Sequence, residues 1–595
     1  MSCHRVLLWV CCAAVALSAQ TTLTPRSVDK KLIEYGWDVR FPDYVRDHIR
    51  EMEALPFDGL VFKLRGGGRV MTPKAFDEAQ YAADFEACPQ IQWERFTDNF
   101  VIFWAASDQD WFDDSHWQAI ETNTRLMTRA ARLARCVGIC FDHEPYGTNP
   151  WAYNRAQHRD ERSFAEYEAK VRQRGAQFIR AVEAELPGAT ILTFFQLSYF
   201  ASFMAPMDPA ERAAGLSSHS YALLPAFLHG ILDAAGPGVT VIDGNEGAYY
   251  YTNSASYLSM VHQVTQRARY LIDPAVWDRY HNQVQVGQAL YVDQYFGLRA
   301  RKVLGHYMPL EDQQRWFAHN VYWALHTADR YVWCYSERMN WWTGKDVPVG
   351  AVDAIRAARE RLAAGKPLGF DLAPAVERAQ QRQRDEVAGR LKRRSAEIAR
   401  RPAEVAAPAV DGRLDDAAWS KAAALEPLGP LASGPDKLSA ETRAQVLYDE
   451  KALYVAVRCG EPKADAVRSQ GTRHDDAGIW QGDVLDLMVG VDGKTLPFVH
   501  FMVNPKGVAW DARHTPETDL SFSPPWERAV GTAEGAWTVE MVIPWSSMGM
   551  AAPKPGTALR VNLCRQRSAA HELSAWSPMA EGFLEHDLFG TWTFR

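Results

Sequence analysis

The chain has few features of a nucleic-acid-binding or membrane protein. Its 65 lysines and arginines are outnumbered by 73 acidic residues, which gives a net charge of −8 without an evident basic patch. This balance argues against nucleic acid as the main partner. Beyond the N-terminus, no apolar run is long enough to cross a bilayer, so we expect no membrane span.

Several sequence motifs of known chemistry are also missing. No CxxC or HExxH pattern occurs, so the sequence predicts no catalytic metal or other catalytic cofactor. The absence of a G-x-S-x-G elbow disfavours an esterase. The glycines at 66–68 do not have the G-x-G-x-x-G spacing of a dinucleotide site.

The first 19 residues have the pattern of an export signal. Arg5 supplies the positive start, residues 6–17 form the apolar core, and Ala16, Ser18 and Ala19 are the small residues that a cleavage site needs. We therefore expect a secreted or periplasmic protein.

Six of the nine cysteines remain after removal of this signal. Cys136, Cys140 and Cys334 lie in or beside predicted core strands, so we expect buried thiols there. The sequence leaves the disulfide state of Cys459 and Cys564 open, because pairing depends on geometry.

Residues 30–370 alternate between short apolar runs and amphipathic helical stretches. This rhythm predicts a (β/α)8 barrel, with a doubly wound open sheet as the alternative. The predicted strands cover residues 32–38, 58–64, 99–105, 137–144, 190–197, 239–246, 284–293 and 331–337.

The fourth predicted strand ends in two carboxylates one residue apart, Asp142 and Glu144. Residues i and i+2 of a strand point the same way, so both are expected on one face at the carboxyl end of the strand. In a parallel barrel that end carries the chemistry. Close carboxylates raise the pKa of one another, which keeps a glutamic acid protonated for general-acid catalysis.

Other predicted strands end in the same way, in acids or aromatic residues, which suits cleavage of a glycosidic bond. The high content of tryptophan, 21 residues, also suits stacking on sugar rings. We interpret Glu144 as the acid with Asp142 tuning it, and Glu337 as its counterpart, with Glu246 nearly as good a candidate. The predicted substrate-binding residues are Trp37, Asp38, Trp104, Tyr146, Gln196, Asp243, Tyr291, Asp293, Tyr335 and Trp341.

The Gly138-x-x-x-Asp142-x-Glu144 pattern is similar to the strand-four motif of family 18 chitinases, in which the Glu is the acid and the Asp orients a substrate N-acetyl group. The match covers about seven residues, and Cys140 stands where that family has a further Asp. As a whole, residues 30–370 resemble an unclassified glycoside hydrolase-like barrel. The alternatives that stay open are a glycan-binding protein with an inactive barrel and a polysaccharide lyase.

The pattern changes after residue 370. Residues 371–405 are rich in Arg, Glu and Ala and predict a charged helical linker. Residues 406–595 show short alternating strands with Gly, Pro and Asp turns, which predict an antiparallel β-sandwich.

This last region resembles a family 9 carbohydrate-binding module. The resemblance is carried by the segments DGRLDDAAW at 411–419, YDEKALYVAV at 448–457, WQGDVLDL at 480–487 and WTVEMVIPW at 537–545, with Asn562, Arg565 and Phe589-Gly590. It implies a β-sandwich that binds glycan ends, often with calcium as structural support. Two tryptophans clamp the sugar in that family, and the candidates here are Trp480 and Trp576. The partner implied by both regions is a polysaccharide or an oligosaccharide.

Overall fold

The computed structural model describes residues 29–105, 109–476, 478–515 and 518–595. The chain divides into two compact units, residues 1–379 and residues 380–595. The export signal predicted over residues 1–19 lies outside the described residues. Each helix in the described part of the chain is too short or too polar to cross a lipid bilayer.

Unit 1 contains nine parallel strand segments that form one sheet in the order β7-β6-β5-β4-β3-β2-β1-β9-β8. The two ends of this sheet, β7 and β8, are separated in sequence by Gly287 alone, so together they occupy one position in a ring of eight strands. This arrangement confirms the predicted (β/α)8 barrel. The segments are β1 (Lys31–Gly36), β2 (Gly59–Phe62), β3 (Phe100–Trp104), β4 (Gly138–Asp142), β5 (Thr190–Thr193), β6 (Thr240–Asp243), β7 (Val284–Val286), β8 (Gln288–Tyr291) and β9 (Tyr331–Ser336).

The helices of unit 1 follow local start signals in the sequence. Asp113 caps the backbone N–H groups of Ser115 and His116, and Ser163 with Glu166 forms a capping box. The helices are α1 (Pro42–Met52), α2 (Ala82–Ala87), α3 (Asp114–Leu133), α4 (Phe164–Glu183), α5 (Pro209–Ser217), α6 (Leu224–Ala234), α7 (Ser254–Thr265), α8 (Trp277–Gln283), α9 (Val292–Tyr295), α10 (Leu310–Thr327) and α11 (Ala351–Ala363), followed by α12 (Ala373–Arg390), which runs across the boundary with unit 2.

Most predicted strands extend beyond the observed ones at their carboxyl ends. The strand predicted over 190–197 is observed as Thr190–Thr193, and that over 239–246 as Thr240–Asp243. The additional residues lie in loops at the mouth of the barrel, where their side chains no longer alternate between two faces. The sequence also predicts a helix over residues 217–234, and the structure has one there, α6, which begins only at Leu224, whereas α5 ends at Ser217.

Helices α4 and α6 approach each other closely at glycines. A Cβ atom on Gly230 would lie 1.8 Å from the Arg172 carbonyl oxygen, whereas one on Gly389 of α12 would meet no atom within 4 Å. We expect Gly230→Ala to lower the free energy of unfolding by about 1–3 kcal/mol, since overpacking of this kind is destabilising. Gly389→Ala, the matched control, should raise it by up to about 1 kcal/mol. Urea unfolding of both variants measures this, and an equal effect would contradict the close approach.

Unit 2 is a mixed sheet that folds over on itself, in the order β18-β17-β16-β15-β21-β23-β10-β13-β14-β20-β19. This two-layered arrangement confirms the predicted β-sandwich. Its strands are β10 (Ser395–Arg400), β11 (Ala423–Ala424), β12 (Gly429–Pro430), β13 (Thr442–Tyr448), β14 (Ala452–Gly460), β15 (Val484–Gly490), β16 (Phe498–Val503), β17 (Ala509–His514), β18 (Thr518–Asp519), β19 (Glu527–Ala533), β20 (Ala536–Pro544), β21 (Ala558–Arg567), β22 (Glu572–Ala575) and β23 (Gly590–Phe594).

Strand β10 corrects the interpretation of residues 371–405 as helical throughout. Residues 373–390 are helical, but residues 395–398 pair with β23, and residues 399 and 400 pair with β13. The physical reason is that Ile398 is fully buried in the core between the two layers. This strand therefore joins the two halves of the sheet.

The six cysteines among the described residues are buried and free, Cys459 and Cys564 included. The expectation of buried thiols at Cys136, Cys140 and Cys334 is thereby confirmed. Burial also raises the pKa of Cys140 well above its usual value, which keeps this thiol protonated.

Candidate functional site

A pocket of about 490 Å³ lies at the mouth of the barrel. Residues at the carboxyl ends of β1, β4, β5, β6, β8 and β9, or in the loops that follow, form its walls. Three glutamates, Glu144, Glu246 and Glu337, face this one pocket. The other lining residues are Tyr35, Trp37, Tyr146, Phe194, Tyr199, Gly247, Tyr249, Tyr250, Tyr291, Arg299, Trp333 and Tyr335.

The end of β4 supplies a carboxyl pair bridged by a tyrosine. The backbone N–H of Glu144 donates to Asp142 Oδ1 at 2.8 Å, and this bond fixes the turn that follows the strand. The Tyr146 hydroxyl lies 2.9 Å from Asp142 Oδ2 and 2.8 Å from Glu144 Oε2. Burial, and then the charge of Glu144, raises the pKa of Asp142 well above its usual value.

Glu246 follows β6 after a sharp turn. Asn245 adopts the left-handed conformation (φ 45°), which asparagine tolerates well. The Asn245 side chain donates to Gln288 Oε1 at 2.7 Å, and the Glu246 N–H donates to the Phe194 carbonyl at 3.0 Å. These bonds direct Glu246 into the pocket, where burial and then the charge of Glu144 raise its pKa to about 7.

Glu337, the first residue after β9, is held by neighbours on both sides. Its Oε1 accepts a hydrogen bond from the Tyr291 hydroxyl at 2.9 Å and lies 3.5 Å from Arg299 Nη1. The Glu337 backbone N–H donates to Asp293 Oδ2 at 2.9 Å. This carboxylate is therefore paired with a cation, unlike Glu246, for which no hydrogen bond of the side chain is seen among the described residues.

Aromatic rings fill the space beneath and beside the three glutamates. Phe194 and Trp333 stack with ring centroids 4.3 Å apart, and Tyr249 stacks on Tyr335 at 5.7 Å. The Trp333 indole N–H donates to the Gly244 carbonyl at 2.9 Å, which fixes its orientation. Acids surrounded by aromatic faces fit a sugar, whose C–H faces stack on rings while its hydroxyl groups bond to carboxylates.

The predicted site residues divide into two groups. Glu144, Glu246, Glu337, Trp37, Tyr146, Tyr291 and Tyr335 come together at the pocket. Asp38, Trp104, Asp142, Gln196, Asp243, Asp293 and Trp341 do not line it, and most of them are buried behind it.

The buried acids of the second group organise loops, so their predicted contact with substrate is corrected. Asp243 accepts hydrogen bonds from the backbone N–H groups of Gln196 and Ser198, at 2.9 and 2.8 Å. Asp293 anchors Glu337 as described above, and Asp38 Oδ2 accepts from the Trp341 N–H at 2.9 Å. Buried carboxylates that accept backbone bonds fix the loops from which the pocket is built.

The remaining members of that group are also structural. Gln196 is fully buried, with its Nε2 atom 3.1 Å from His143 Nε2, and Trp341 packs edge-on against Phe57 with only 3 % of its surface exposed. The backbone of Trp104 bonds to Gly68 at 2.8 Å. In this structure none of the three reaches the pocket.

Several lining residues were not identified from the sequence, among them Tyr35, Phe194, Tyr199, Arg299 and Trp333. For Trp333 a signal existed, because Trp333, Tyr335 and Glu337 alternate along one strand and so share a face. Arg299 lies eight residues beyond the end of β8, in a connection with no strand periodicity. No pattern in the sequence points to it.

In unit 2 the two tryptophans of the predicted sugar clamp have opposite environments. Trp480 is 58 % exposed, whereas Trp576 is 1 % exposed and packs against Trp592 with ring centroids 6.0 Å apart. The prediction for Trp576 is therefore corrected, since a side chain enclosed in the core cannot stack on a sugar. Trp480 remains an available aromatic surface.

The calcium ion implied by the resemblance would need a set of oxygen ligands from the side chains of unit 2. In the described part of the chain, three side chains that could share one metal ion converge at His474, Asp475 and Asp511. Calcium takes six to eight oxygen ligands, and this group offers two carboxylates and an imidazole nitrogen. The donor set does not fit calcium.

Taken together, the molecule is a (β/α)8 barrel with a mouth lined by acids and aromatic rings, and a separate β-sandwich unit. Residues 410–594 match the model of the carbohydrate family 9 binding domain-like family. The C-terminal unit thus resembles a family 9 carbohydrate-binding module.

Solved structures with similarity to each part are known, and no curated protein matches the chain. A family 9 carbohydrate-binding module from Caldicellulosiruptor kristjanssonii in complex with cellotriose is 15 % identical, with a TM-score of 0.25, and the match covers 34 % of this chain and 94 % of that one. A family 18 chitinase from Pseudoalteromonas aurantia is 11 % identical, with a TM-score of 0.29, and covers 55 % of this chain and 100 % of its own.

Proposed function

We propose that the protein is an exported glycoside hydrolase that cleaves a polysaccharide or an oligosaccharide, with unit 2 as its glycan-binding module. One observation carries the proposal: three glutamates from different strand ends meet among aromatic rings in one pocket of about 490 Å³. Paired carboxyl groups and aromatic subsites are the requirements of glycosidic cleavage.

In this proposal Glu246 is the general acid and Glu144 is the second carboxyl group. Glu246 gives its proton to the glycosidic oxygen as the bond from that oxygen to the anomeric carbon breaks. Glu144, as a carboxylate, attacks the anomeric carbon or takes a proton from the attacking water. In either course, one water molecule is consumed and the acid proton is restored.

The electrostatics of the pocket support this division of roles. A general acid is most effective when its pKa is near the working pH, and the pKa of Glu246 is raised to about 7. The Tyr146 hydroxyl lies 2.9 Å from Asp142 Oδ2 and 2.8 Å from Glu144 Oε2, so it can donate a hydrogen bond to the Glu144 carboxylate and hold this group in the pocket. The sequence interpretation gave the acid to Glu144, and the raised pKa of Glu246 is the reason for the change.

Glu337 has a different role in this scheme, namely to position the substrate. Its bond to Tyr291 and its proximity to Arg299 hold it in place, so it can accept hydrogen bonds from sugar hydroxyl groups. Trp37, which is 67 % exposed at the rim of the pocket, offers a ring face for a neighbouring sugar unit.

The function is tested by incubation of the purified chain with a broad panel of polysaccharides and oligosaccharides, with analysis of the released products. The control is the double variant Glu144→Gln, Glu246→Gln, which keeps the shape of the pocket and removes both carboxyl groups. We expect product release by the wild type alone. Binding of a glycan by the barrel without any release would instead favour the alternative, a glycan-binding protein with an inactive barrel.

For unit 2 we predict that Trp480 contributes to glycan binding and Trp576 to stability. Trp480→Ala should weaken retention of the chain on insoluble glycan and change the free energy of unfolding by less than about 0.5 kcal/mol. Trp576→Ala should lower that free energy by about 3–5 kcal/mol, because it leaves a cavity beside Trp592. Pull-down on the glycan identified in the panel and urea unfolding measure the two effects. Unchanged retention of the Trp480 variant would contradict the prediction.

A further inference from the structure

Three side chains in unit 2 form a group that the proposed function does not use. His474 and Asp475 belong to the loop before β15, and Asp511 belongs to β17. His474 Nε2 lies 3.0 Å from Asp511 Oδ2 and 3.3 Å from Asp475 Oδ1. One ligand atom from each residue falls within 4.8 Å of the others.

The backbone holds this group in place. The Asp475 N–H donates to the Ala509 carbonyl at 3.0 Å, and the Asp511 N–H donates to Asp475 Oδ1 at 3.3 Å. Asp476 accepts bonds from the N–H groups of Thr472 and Gly478, both at 2.9 Å, which close the loop. The loop is therefore built against β17, and the three side chains converge without rearrangement.

Asp511 has an atom without a bonding partner. Its side chain is fully buried, and the Trp526 indole N–H donates to Oδ2 at 3.0 Å. Its Oδ1 is buried with no hydrogen-bond partner among the described residues. A buried carboxylate oxygen in this situation has lost its hydrogen bonds to water and has gained no partner in their place. An ion bound beside it would supply that partner.

We propose that His474, Asp475 and Asp511 form a binding site for a transition-metal ion such as Zn²⁺. Four-coordinate zinc has bonds of about 2.0–2.2 Å to nitrogen and oxygen, so neighbouring ligands lie about 3.4 Å apart. The observed separations of 3.0 and 3.3 Å are close to this value. His474 and Asp475 are about one-third exposed, so solvent can reach the fourth coordination position.

The identity of the donors selects the class of ion. Imidazole nitrogen is a ligand for zinc, copper, iron and nickel, whereas calcium and magnesium prefer oxygen alone. Among the described residues, three side chains contribute, which is fewer than calcium requires. This site therefore differs from the structural calcium site that the family resemblance implied.

Arg528 competes with the ion. Its Nη2 lies 3.4 Å from His474 Nδ1, and its guanidinium also packs over the Trp526 ring at 5.1 Å. When a metal ion binds His474 Nε2, the ring proton must be on Nδ1. A protonated Nδ1 cannot accept a hydrogen bond from Arg528. Removal of this cation should tighten metal binding.

The test uses the full-length chain after treatment with a chelator. Calorimetric titration with ZnCl2, and separately with CaCl2, measures stoichiometry and affinity, and the visible spectrum after addition of CoCl2 reports four-coordinate geometry. The variants are His474→Ala, Asp511→Asn and Arg528→Ala. His571→Asn is the matched control, because it removes an exposed histidine of the same unit and asparagine tolerates the left-handed conformation found there.

We expect one zinc ion per chain and weaker binding of calcium. The His474 variant should lose at least about 100-fold in zinc affinity, since even outer partners of metal ligands contribute 10–100-fold. The Arg528 variant should bind zinc more tightly, and the control should match the wild type. Because Asp511→Asn places an amide in the core, the circular dichroism of each variant is recorded first. No zinc binding by the wild type, equal binding by the His474 variant, or preference for calcium overturns the proposal.

Discussion

Replacement of Glu246 by Gln is expected to lower kcat on a natural glycan by about 10²–10⁴-fold, which is the usual contribution of a general acid. The substitution keeps the volume of the side chain and removes the proton that the leaving oxygen needs. Burial and the charge of Glu144 raise the pKa of this group to about 7, so a large fraction of Glu246 carries that proton at neutral pH in the wild type.

The pH dependence provides a second signature of the same group. Since the protonated form of Glu246 is the active one, kcat/KM of the wild type should fall as the pH rises through about 7. This alkaline limb should be absent from the Glu246→Gln variant, which has no proton to lose. A Glu337→Gln variant serves as the comparison, because it removes another pocket carboxylate and should keep the alkaline limb.

The leaving group separates the role of an acid from a general loss of structure. A dinitrophenyl leaving group departs without protonation, so the Glu246→Gln variant should retain most of its activity on a dinitrophenyl glycoside of the sugar found in the panel. Kinetics on this substrate and on the natural glycan measure the contrast. An equal loss on both substrates would remove Glu246 from the role of proton donor.

The end of β4 shows how far the sequence could predict this site. The apolar run ending in Asp142 and Glu144 was correctly placed at the mouth of the barrel. The expectation that both side chains share one face depended on strand periodicity, which ends at Asp142. Beyond that residue the turn fixes the side chains, so Asp142 is buried and bonds to the Glu144 N–H while Glu144 enters the pocket.

Burial of a side chain depends on packing of distant segments, which one sequence does not reveal. Trp480 and Trp576 looked equally suited to bind a sugar, yet Trp480 is exposed and Trp576 lies against Trp592, which belongs to the last strand of the chain. Arg299 approaches Glu337 across 38 positions of the chain, from a connection without periodicity. The barrel and the polar ends of its strands were predictable, and the contacts made between loops were not.

Replacement of Glu144 by Gln should lower activity by about 10²–10⁴-fold on both the natural glycan and the dinitrophenyl glycoside. A carboxylate that attacks the anomeric carbon or activates water is needed whatever the leaving group is. This independence of the leaving group distinguishes Glu144 from Glu246 under the proposed roles. The two variants, assayed side by side on the two substrates, measure it.

The same variant also tests the coupling between the two glutamates. The negative charge of Glu144 disfavours ionisation of Glu246, so its removal should lower the pKa of Glu246 from about 7, while burial keeps it above the usual value for glutamate. Carbon NMR titration of the Glu246 carboxyl in labelled protein measures this without any need for activity. An unchanged titration would show that Glu144 is too far away to share a sugar bond with Glu246. The opposite pattern on the dinitrophenyl glycoside would return the role of acid to Glu144. In that pattern the Glu144→Gln variant retains its activity on this substrate, whereas the Glu246→Gln variant loses it.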